Sequence, residues 1–432
     1  MNKRILRLAI PNIISNISVP LLGMVDIAIV GHLGSAAYIG AIALGSIIFS
    51  FIYWGLGFLR MGTSGMTAQA YGARNLKESI LIFSRAILVA ITLGLTLIIL
   101  QIPIANFSFF IIEGSSEVEM YAREYFLIRI WAAPASIGLY AFTGWFIGMQ
   151  NAKTPMFITI FINLINVGFS FWFVYGMGMK ADGVALGTVC AQYIGLLLAL
   201  GIFLLYYKKL NKYFSWKNTF DLIALKRFFS INRDIFIRTF CLIIALSFFT
   251  VKSAAINDEI LALNTLLFQF FLLFSFFIDG FAHASEALVG KYIGAKNKTQ
   301  LKILIKKLFF WGGIVSIPFT LVYLLAGKNI LFLLTNNKEI IEMSSSYLIW
   351  IILIPILSYP AFLYDGIFIG ATAGKAMRNA MLVSTFAIFL PLYYFLKEPM
   401  GNHGLWLAFL IFLVTRGISL GILSKKAIFS RV

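Results

Sequence analysis

Gly144-Trp-Phe-Ile-Gly148 returns as Gly366-Ile-Phe-Ile-Gly370, and Gly72-Ala-Arg-Asn75 returns as Gly294-Ala-Lys-Asn297. One spacing, 222 positions, separates the members of both pairs, and Tyr125 and Tyr347 fall on it as well. Gly183-Val-Ala-Leu186 meets Gly404-Leu-Trp-Leu407 one residue off the same register. An offset close to half of a 432-residue chain means that one half is a duplicate of the other, and fixed-period self-similarity is read before any other feature.

Each half is built for lipid. Sixty per cent of the residues are hydrophobic, 12% are charged, and the mean hydropathy is +0.92. A water-soluble domain carries roughly 25% charged residues, so water is not the main solvent. Apolar runs of the length that crosses a ~30 Å hydrocarbon core as helix recur along the chain. Strand-like alternation, the mark of an outer-membrane barrel, is absent. Spans are expected near 8–31, 38–70, 80–105, 122–149, 155–177, 183–207, 232–255, 260–290, 303–326, 343–371, 379–396 and 404–424. The expected fold is therefore all-α and integral to the membrane, with twelve transmembrane helices in two pseudo-symmetric six-helix lobes. The lobes are expected at 1–207 and 225–432, joined by a polar cytoplasmic linker at 208–224. With six spans in each half the repeats run parallel, the arrangement of secondary transporters that hold their site around a central cavity.

The formal net charge of +18 does not point to nucleic acid. Lys and Arg gather in the N-terminus, the even-numbered loops and the C-terminus, which is the positive-inside asymmetry. Both termini are expected in the cytoplasm, the chain being multi-pass in the cytoplasmic (inner) membrane. The basic clusters at Lys208, Lys209, Lys212, Lys217, Lys226 and Arg227, and at Lys291 to Lys307, read as topology signals and contacts to anionic lipids. Pro11, Asp26 and the lack of a small-residue cleavage site argue that the first apolar run is a retained span and not a signal peptide. Cys190 and Cys241 both fall within expected spans and form no disulfide framework.

Ionisable groups inside spans are costly and tend to face a cavity or a partner. They are Asp26, Arg60, Arg85, Arg129, Lys252, Asp279, Glu286, Asp365 and Arg416. Arg85, Lys252 and Arg416 lie where a long side chain reaches the headgroups, so snorkelling is their expected state. Asp26, after Pro20 and Gly23, is too short to snorkel. A carboxyl cut off from water there is suited to take up and release a proton, and a carboxylate also ligates sodium; the alternative is a carboxyl satisfied by Ser or backbone. Asn163, Asn166 and Ser170 share one face of the fifth span, either lining a cavity or holding helices together. Asp279 and Glu286 share a face of the eighth span, and Asp365 sits in the tenth. These three acids either bind a cation or pair with Lys291, Lys375 or Arg378. Pro20 offers a bend that would link protonation of Asp26 to helix shape.

Tyr140, Phe142, Trp145 and Phe146 in the fourth span offer faces for stacking flat organic cations, with packing as the ordinary alternative. No glycine loop with its lysine binds phosphate, no zinc spacing occurs, and His32, His283 and His403 are widely separated. No cofactor or metal is expected, and an enzyme is not expected because no two catalytic groups converge.

Met24-Val-Asp26-Ile-Ala-Ile-Val-Gly-His-Leu-Gly34, Ala70-Tyr-Gly-Ala-Arg-Asn75, Gly144-Trp-Phe-Ile-Gly-Met-Gln150 with Lys153-Thr-Pro155, Asp279-Gly-Phe with Glu286-Ala-Leu-Val-Gly290, and Asp365-Gly-Ile-Phe-Ile-Gly-Ala-Thr372 with Met377-Arg-Asn379 together resemble the multidrug and toxic compound extrusion (MATE) transporters, and within them a DinF-like subfamily. The resemblance covers nearly the whole chain. It implies two six-helix lobes around a V-shaped cavity, alternating access, and export of small amphipathic or cationic organic compounds in exchange for protons or sodium. It implies that Asp26 carries coupling, helped by Asn163, Asn166 and Ser170. Substrate would meet Tyr140, Trp145, Asp279, Glu286 and Asp365. Ser170 stands where the family's fifth-span pattern of two asparagines expects a second carboxylate, which leaves Asp26 alone in that lobe and favours protons over sodium. A lipid or lipid-linked oligosaccharide flippase of the same superfamily is the alternative function. The partners expected are small organic substrates and membrane lipids, with no nucleic acid, and the protein is expected to be a monomer.

Overall fold

A computed structural model describes residues 1–33, 35–112 and 115–431; Gly34, at the end of the first quoted motif, lies outside them. The helices run, in order, α1 (Asn2–Gly31), α2 (Ala36–Leu56), α3 (Phe58–Gly72), α4 (Leu76–Ile99), α5 (Gln101–Ile111), α6 (Ser116–Arg129), α7 (Ala133–Gly148), α8 (Lys153–Phe171), α9 (Ala181–Tyr206), α10 (Trp216–Thr219), α11 (Leu222–Ala254), α12 (Asp258–Gly294), α13 (Lys298–Leu334), α14 (Lys338–Ser344), α15 (Leu348–Gly370), α16 (Gly374–Leu382) and α17 (Leu390–Ala427). Among the described residues there is no strand.

Among the described residues the twelve expected spans can all be placed. The expected second span is α2 and α3, broken at Gly57, and the fourth is α6 and α7, joined by a 3₁₀ turn at Ile130–Ala132 before Pro134. The last apolar helical stretch, Gly374–Arg431, is 58 residues long. At 1.5 Å per residue that far exceeds one ~30 Å crossing. It turns at Gly401, whose φ of 52° and ψ of −127° interrupt α17, a conformation open to glycine and little else. Two spans result, the eleventh and twelfth.

The duplication is visible in the backbone. Among the described residues, the four non-glycine residues with positive φ are Arg74, Gln150, Lys296 and Thr372, two pairs at the 222-residue offset. Each closes a helix with the same left-handed turn. The amides of Asn75, Asn151, Asn297 and Ala373 reach back five residues to Ala70, Phe146, Tyr292 and Phe368, each at 2.9 Å. Asn75 and Asn297 then cap the next helix, accepting from the amides of Glu78 and Gln300 at 3.0 Å, an N-cap of the usual kind. Gly-Ala-Arg-Asn and Gly-Ala-Lys-Asn are thus one helix–turn–helix device used twice.

Two compact units result: Ile14–Phe229, and Met1–Ile13 together with Ser230–Val432. In the first, α3 packs on α7 and α8 on α9, and one of its cores gathers Trp145, Phe146, Phe142, Phe83 and Phe203. In the second, α12 packs on α15, and α15 on α13 and α17. The division expected at 207 and 224 differs from these units at both ends. Residues 208–224 hold a 3₁₀ turn (Lys208–Tyr213) and α10, which belong with the first unit. The start of α1 belongs with the second: Arg4 Nη1 donates to Tyr292 Oη at 2.9 Å, and a Cβ on Gly280 would meet Ala9 O at 2.9 Å.

Candidate functional site

Within Ile14–Phe229, Asp26 lies near the C-terminal end of α1, half-buried. Its Oδ1 is withdrawn from solvent without a hydrogen-bond partner. The guanidinium of Arg129, on α6, acts on it through its charge, yet the two form no ion pair. Arg129 is held elsewhere. Its Nη1 donates to Tyr125 Oη and, at 3.3 Å, to Ser46 Oγ; its guanidinium lies 4.8 Å above the Phe49 ring. Its Nε, like Asp26 Oδ1, is buried with no partner. A buried polar atom left unpaired is costly, and here a carboxylate and a guanidinium share that state within each other's field.

The asparagine stripe divides. Asn163 Nδ2 donates to Ser18 O at 3.1 Å, tying α8 to α1 just before Pro20. Asn166 and Ser170 are buried and face α9: Asn166 Nδ2 donates to Thr188 Oγ1 at 3.0 Å, and Ser170 Oγ to Asn166 Oδ1 at 3.2 Å. Of the two duties open from spacing, these residues perform helix clamping. No hydrogen bond joins them to Asp26 among the described residues.

The aromatic residues of the fourth span also separate. Trp145 is fully buried, its Nε1 donating to Ser79 O at 3.1 Å, with Phe83 and Tyr207 rings 5.3 and 4.8 Å away. It packs among these rings, the ordinary alternative to a substrate-stacking face; Phe142 and Phe146 are buried with it. Tyr140 is half-buried and donates to Tyr53 O at 3.3 Å.

In the second unit the acids meet bases that the sequence reading did not pair with them. Asp365 is buried on α15, and its Oδ2 accepts from Arg238 Nη2 of α11 and, at 2.6 Å, from Arg416 Nη2 of α17. Lys291, Lys375 and Arg378 are not its partners. Arg416 is 2% exposed and does not snorkel: its guanidinium lies 5.4 Å above Phe412 and within the field of Asp279. Arg238 was missed, because a basic residue seven positions into the expected 232–255 span reads as a topology signal. Arg378 Nη1 donates instead to Asp234 Oδ1 at 2.7 Å. Glu286 is 1% exposed, with His283 Nδ1 3.2 Å from its Oε1. A second network went unseen. Asn264 Nδ2 donates to Ser253 Oγ and Asn402 Oδ1, both at 2.7 Å, while Trp406 Nε1 donates to Asn264 Oδ1 at 2.8 Å. It joins α11, α12 and α17 beside the Gly401 turn.

Arg85 is corrected in the same way as Arg416. It is buried, and it donates to Asn218 O at 2.8 Å, Thr219 O at 3.2 Å and Glu78 Oε1 at 3.1 Å. Lys252 keeps its ammonium 5.5 Å above the rings of Phe248 and Tyr394. Among the described residues no group of three His, Cys, Asp or Glu is placed to hold a metal ion.

This architecture has relatives. The family described as MatE matches residues 11–172 and 236–395, one segment in each half. DNA damage-inducible protein F of Escherichia coli (strain K12) is 37% identical over 435 residues, 98% of this chain and 92% of that protein. Multidrug resistance protein NorM of Aliivibrio fischeri is 24% identical over 433 residues, 96% of this chain and 93% of that one. Among solved structures, the outward-facing conformation of a multidrug resistance MATE family transporter superposes with a TM-score of 0.89 at 20% identity, covering 99% of this chain and 96% of that one.

Proposed function

Because this chain belongs to the MatE family, a family of membrane transporters, we propose that it is a secondary active antiporter. It exports small amphipathic or cationic organic compounds in exchange for protons, with sodium as the other ion the chemistry allows, by alternating access. The protein is a multi-pass membrane protein; in this reading it lies in the cytoplasmic membrane with both termini inside and works as a monomer. The relatives named for multidrug resistance support the substrate class.

The observation that carries the proposal is Asp26 Oδ1, buried and unpaired within reach of Arg129's charge. No hydrogen bond at Oδ1 favours either state of this carboxyl, so in this reading its protonation follows its surroundings. Coupling requires only that substrate and proton prefer different states of the protein. Asn166 and Ser170, engaged with Thr188, then serve the proton site by keeping α8 against α9, and Asn163 by holding α1 at Ser18. In the second unit, Asp279, Glu286 and Asp365 are the acids for substrate or ion in this reading, with Asp365 also held by two arginines and Glu286 beside His283.

The experiment is uptake of a fluorescent organic cation into inverted vesicles, with a proton gradient and a sodium gradient imposed separately. Uptake driven by the proton gradient and lost in Asp26→Asn is the expected result. Uptake indifferent to both gradients would reject antiport and bring the flippase forward.

A further inference from the structure

The linker contains more than topology signals. Arg85 fixes it to α4 through the carbonyls of Asn218 and Thr219, and Thr219 is completely buried there. Beneath this anchored segment lies a groove of about 420 Å³ between α4, α9 and the linker. Ile80, Ile87 and Ile91 form its floor along α4, Leu204 its α9 wall, and Phe214 and Trp216 its linker end. Ile91, Leu204, Phe214 and Trp216 are all exposed apolar side chains. From Ile80 to Ile91 the helix rises about 16 Å, close to half of a ~30 Å hydrocarbon core, which is the depth of one leaflet.

The linker end is basic. Lys208, Lys209, Lys212 and Lys217 occur with no acid between Lys208 and Phe220. Among the described residues none of the four stands in an ion pair. Lys212 rests its ammonium 5.0 Å above the Tyr213 ring, and Trp216 meets Phe214 edge to face, their ring centres 5.1 Å apart. An indole at the linker end of an apolar groove, flanked by lysines without counter-ions, has the layout of the membrane interface: apolar below, amphipathic at the boundary, cationic above.

We propose that this groove binds one anionic phospholipid of the cytoplasmic leaflet, an acyl chain lying along α4 and the phosphate meeting Lys212 and Lys217. A zwitterionic lipid would fill the same groove but leave the lysines without net counter-charge. Each lysine near an anionic headgroup is worth about a fivefold gain in binding.

The test is native mass spectrometry of the full-length protein in detergent, titrated with phosphatidylglycerol or with phosphatidylcholine of the same chains. The wild type is expected to favour phosphatidylglycerol by at least about fivefold. Lys212→Gln with Lys217→Gln, both exposed positions, should remove that preference and leave phosphatidylcholine binding as it was. Ser84→Trp, which fills the groove lined in part by Ser84, should weaken both lipids alike. Equal binding of the two lipids by the wild type would overturn the proposal. So would a preference that survives the paired lysine change, or displacement of the lipid by soluble glycerol 3-phosphate. The lysine pair keeps the test decisive if Ser84→Trp does not fold.

Discussion

Gly366 lies so close to the carbonyl oxygen of Ala282 that a Cβ on it would come within 2.1 Å. The partner halves repeat the contact: a Cβ on Gly144 would come within 2.4 Å of Arg60 O, and Arg60 and Ala282 are themselves 222 residues apart. In both halves two helices cross with backbone touching backbone, which small residues permit in a membrane protein. Gly366→Ala and Gly144→Ala must therefore separate the helices or distort them. Each is expected to cost about 1–3 kcal/mol or more, as overpacking does. Thermal unfolding in detergent would show it, with Gly313→Ala, which has nothing within 4 Å of its Cβ position, as the control that changes little.

Asp365 is the counter-ion of two buried guanidiniums. Replacing it with Asn strands two charges and should cost about 3–5 kcal/mol, the usual penalty for breaking a buried pair. Arg238→Met or Arg416→Met alone leaves one guanidinium paired, so each should be milder than Asp365→Asn. The measurement is midpoint temperature and yield of folded protein for the three variants. An Asp365→Asn protein as stable as wild type would mean that the carboxyl does not bear this load.

These two relationships mark what was legible in the sequence. The duplication was readable because it is written in four or five consecutive residues, as in Gly-Ala-Arg-Asn and Gly-Ala-Lys-Asn; that these repeats build glycine crossings and left-handed helix ends is seen only in the fold. The charge cluster was not readable. Arg238 lies 127 residues from Asp365, and Arg416 lies 51 away; no local spacing brings them together, and an arginine within reach of a span end reads equally well as a snorkelling residue. Trp145 differs in kind. Helical periodicity puts it on a face with Phe142 and Phe146, but an aromatic face looks the same whether it meets a substrate or Phe83 and Tyr207.

Asn166 should act through packing. Asn166→Leu removes the hydrogen bond to Thr188 on α9 and the one from Ser170 within α8, and an interhelical bond of the first sort averages about 0.6 kcal/mol, reaching about 1.7. The expected result is a lowered unfolding temperature, with transport falling in step with the loss of folded protein. A full loss of proton-driven transport in a protein that unfolds like wild type would instead place Asn166 in the coupling chemistry.

Arg85 holds the linker, so its loss should loosen the linker before anything else. In Arg85→Ala the carbonyls of Asn218 and Thr219 lose their shared donor, and trypsin should cut after Lys217 about tenfold faster, which corresponds to about 1.4 kcal/mol of local opening. Cleavage in the Lys425–Lys426 region of α17, which Arg85 does not touch, should keep its wild-type rate and so serve as the internal standard.

Asp26 separates coupling from folding. Its Oδ1 makes no hydrogen bond to lose, so Asp26→Asn should leave the unfolding temperature within the small range of surface changes, about ±0.5 kcal/mol. The same substitution fixes the side chain in a neutral form beside Arg129 and removes the proton that would be exchanged. Proton-driven uptake should then fall to the background of empty vesicles, while equilibrium binding of the organic cation to purified protein persists. Asp26→Glu keeps a titratable group and should retain part of the activity. Arg129→Gln gives the complementary reading: with the guanidinium gone, the pH dependence of uptake should change. A pH profile that stays in place in Arg129→Gln would mean that this guanidinium, although its field reaches Asp26 in the fold, takes no part in setting when the proton leaves.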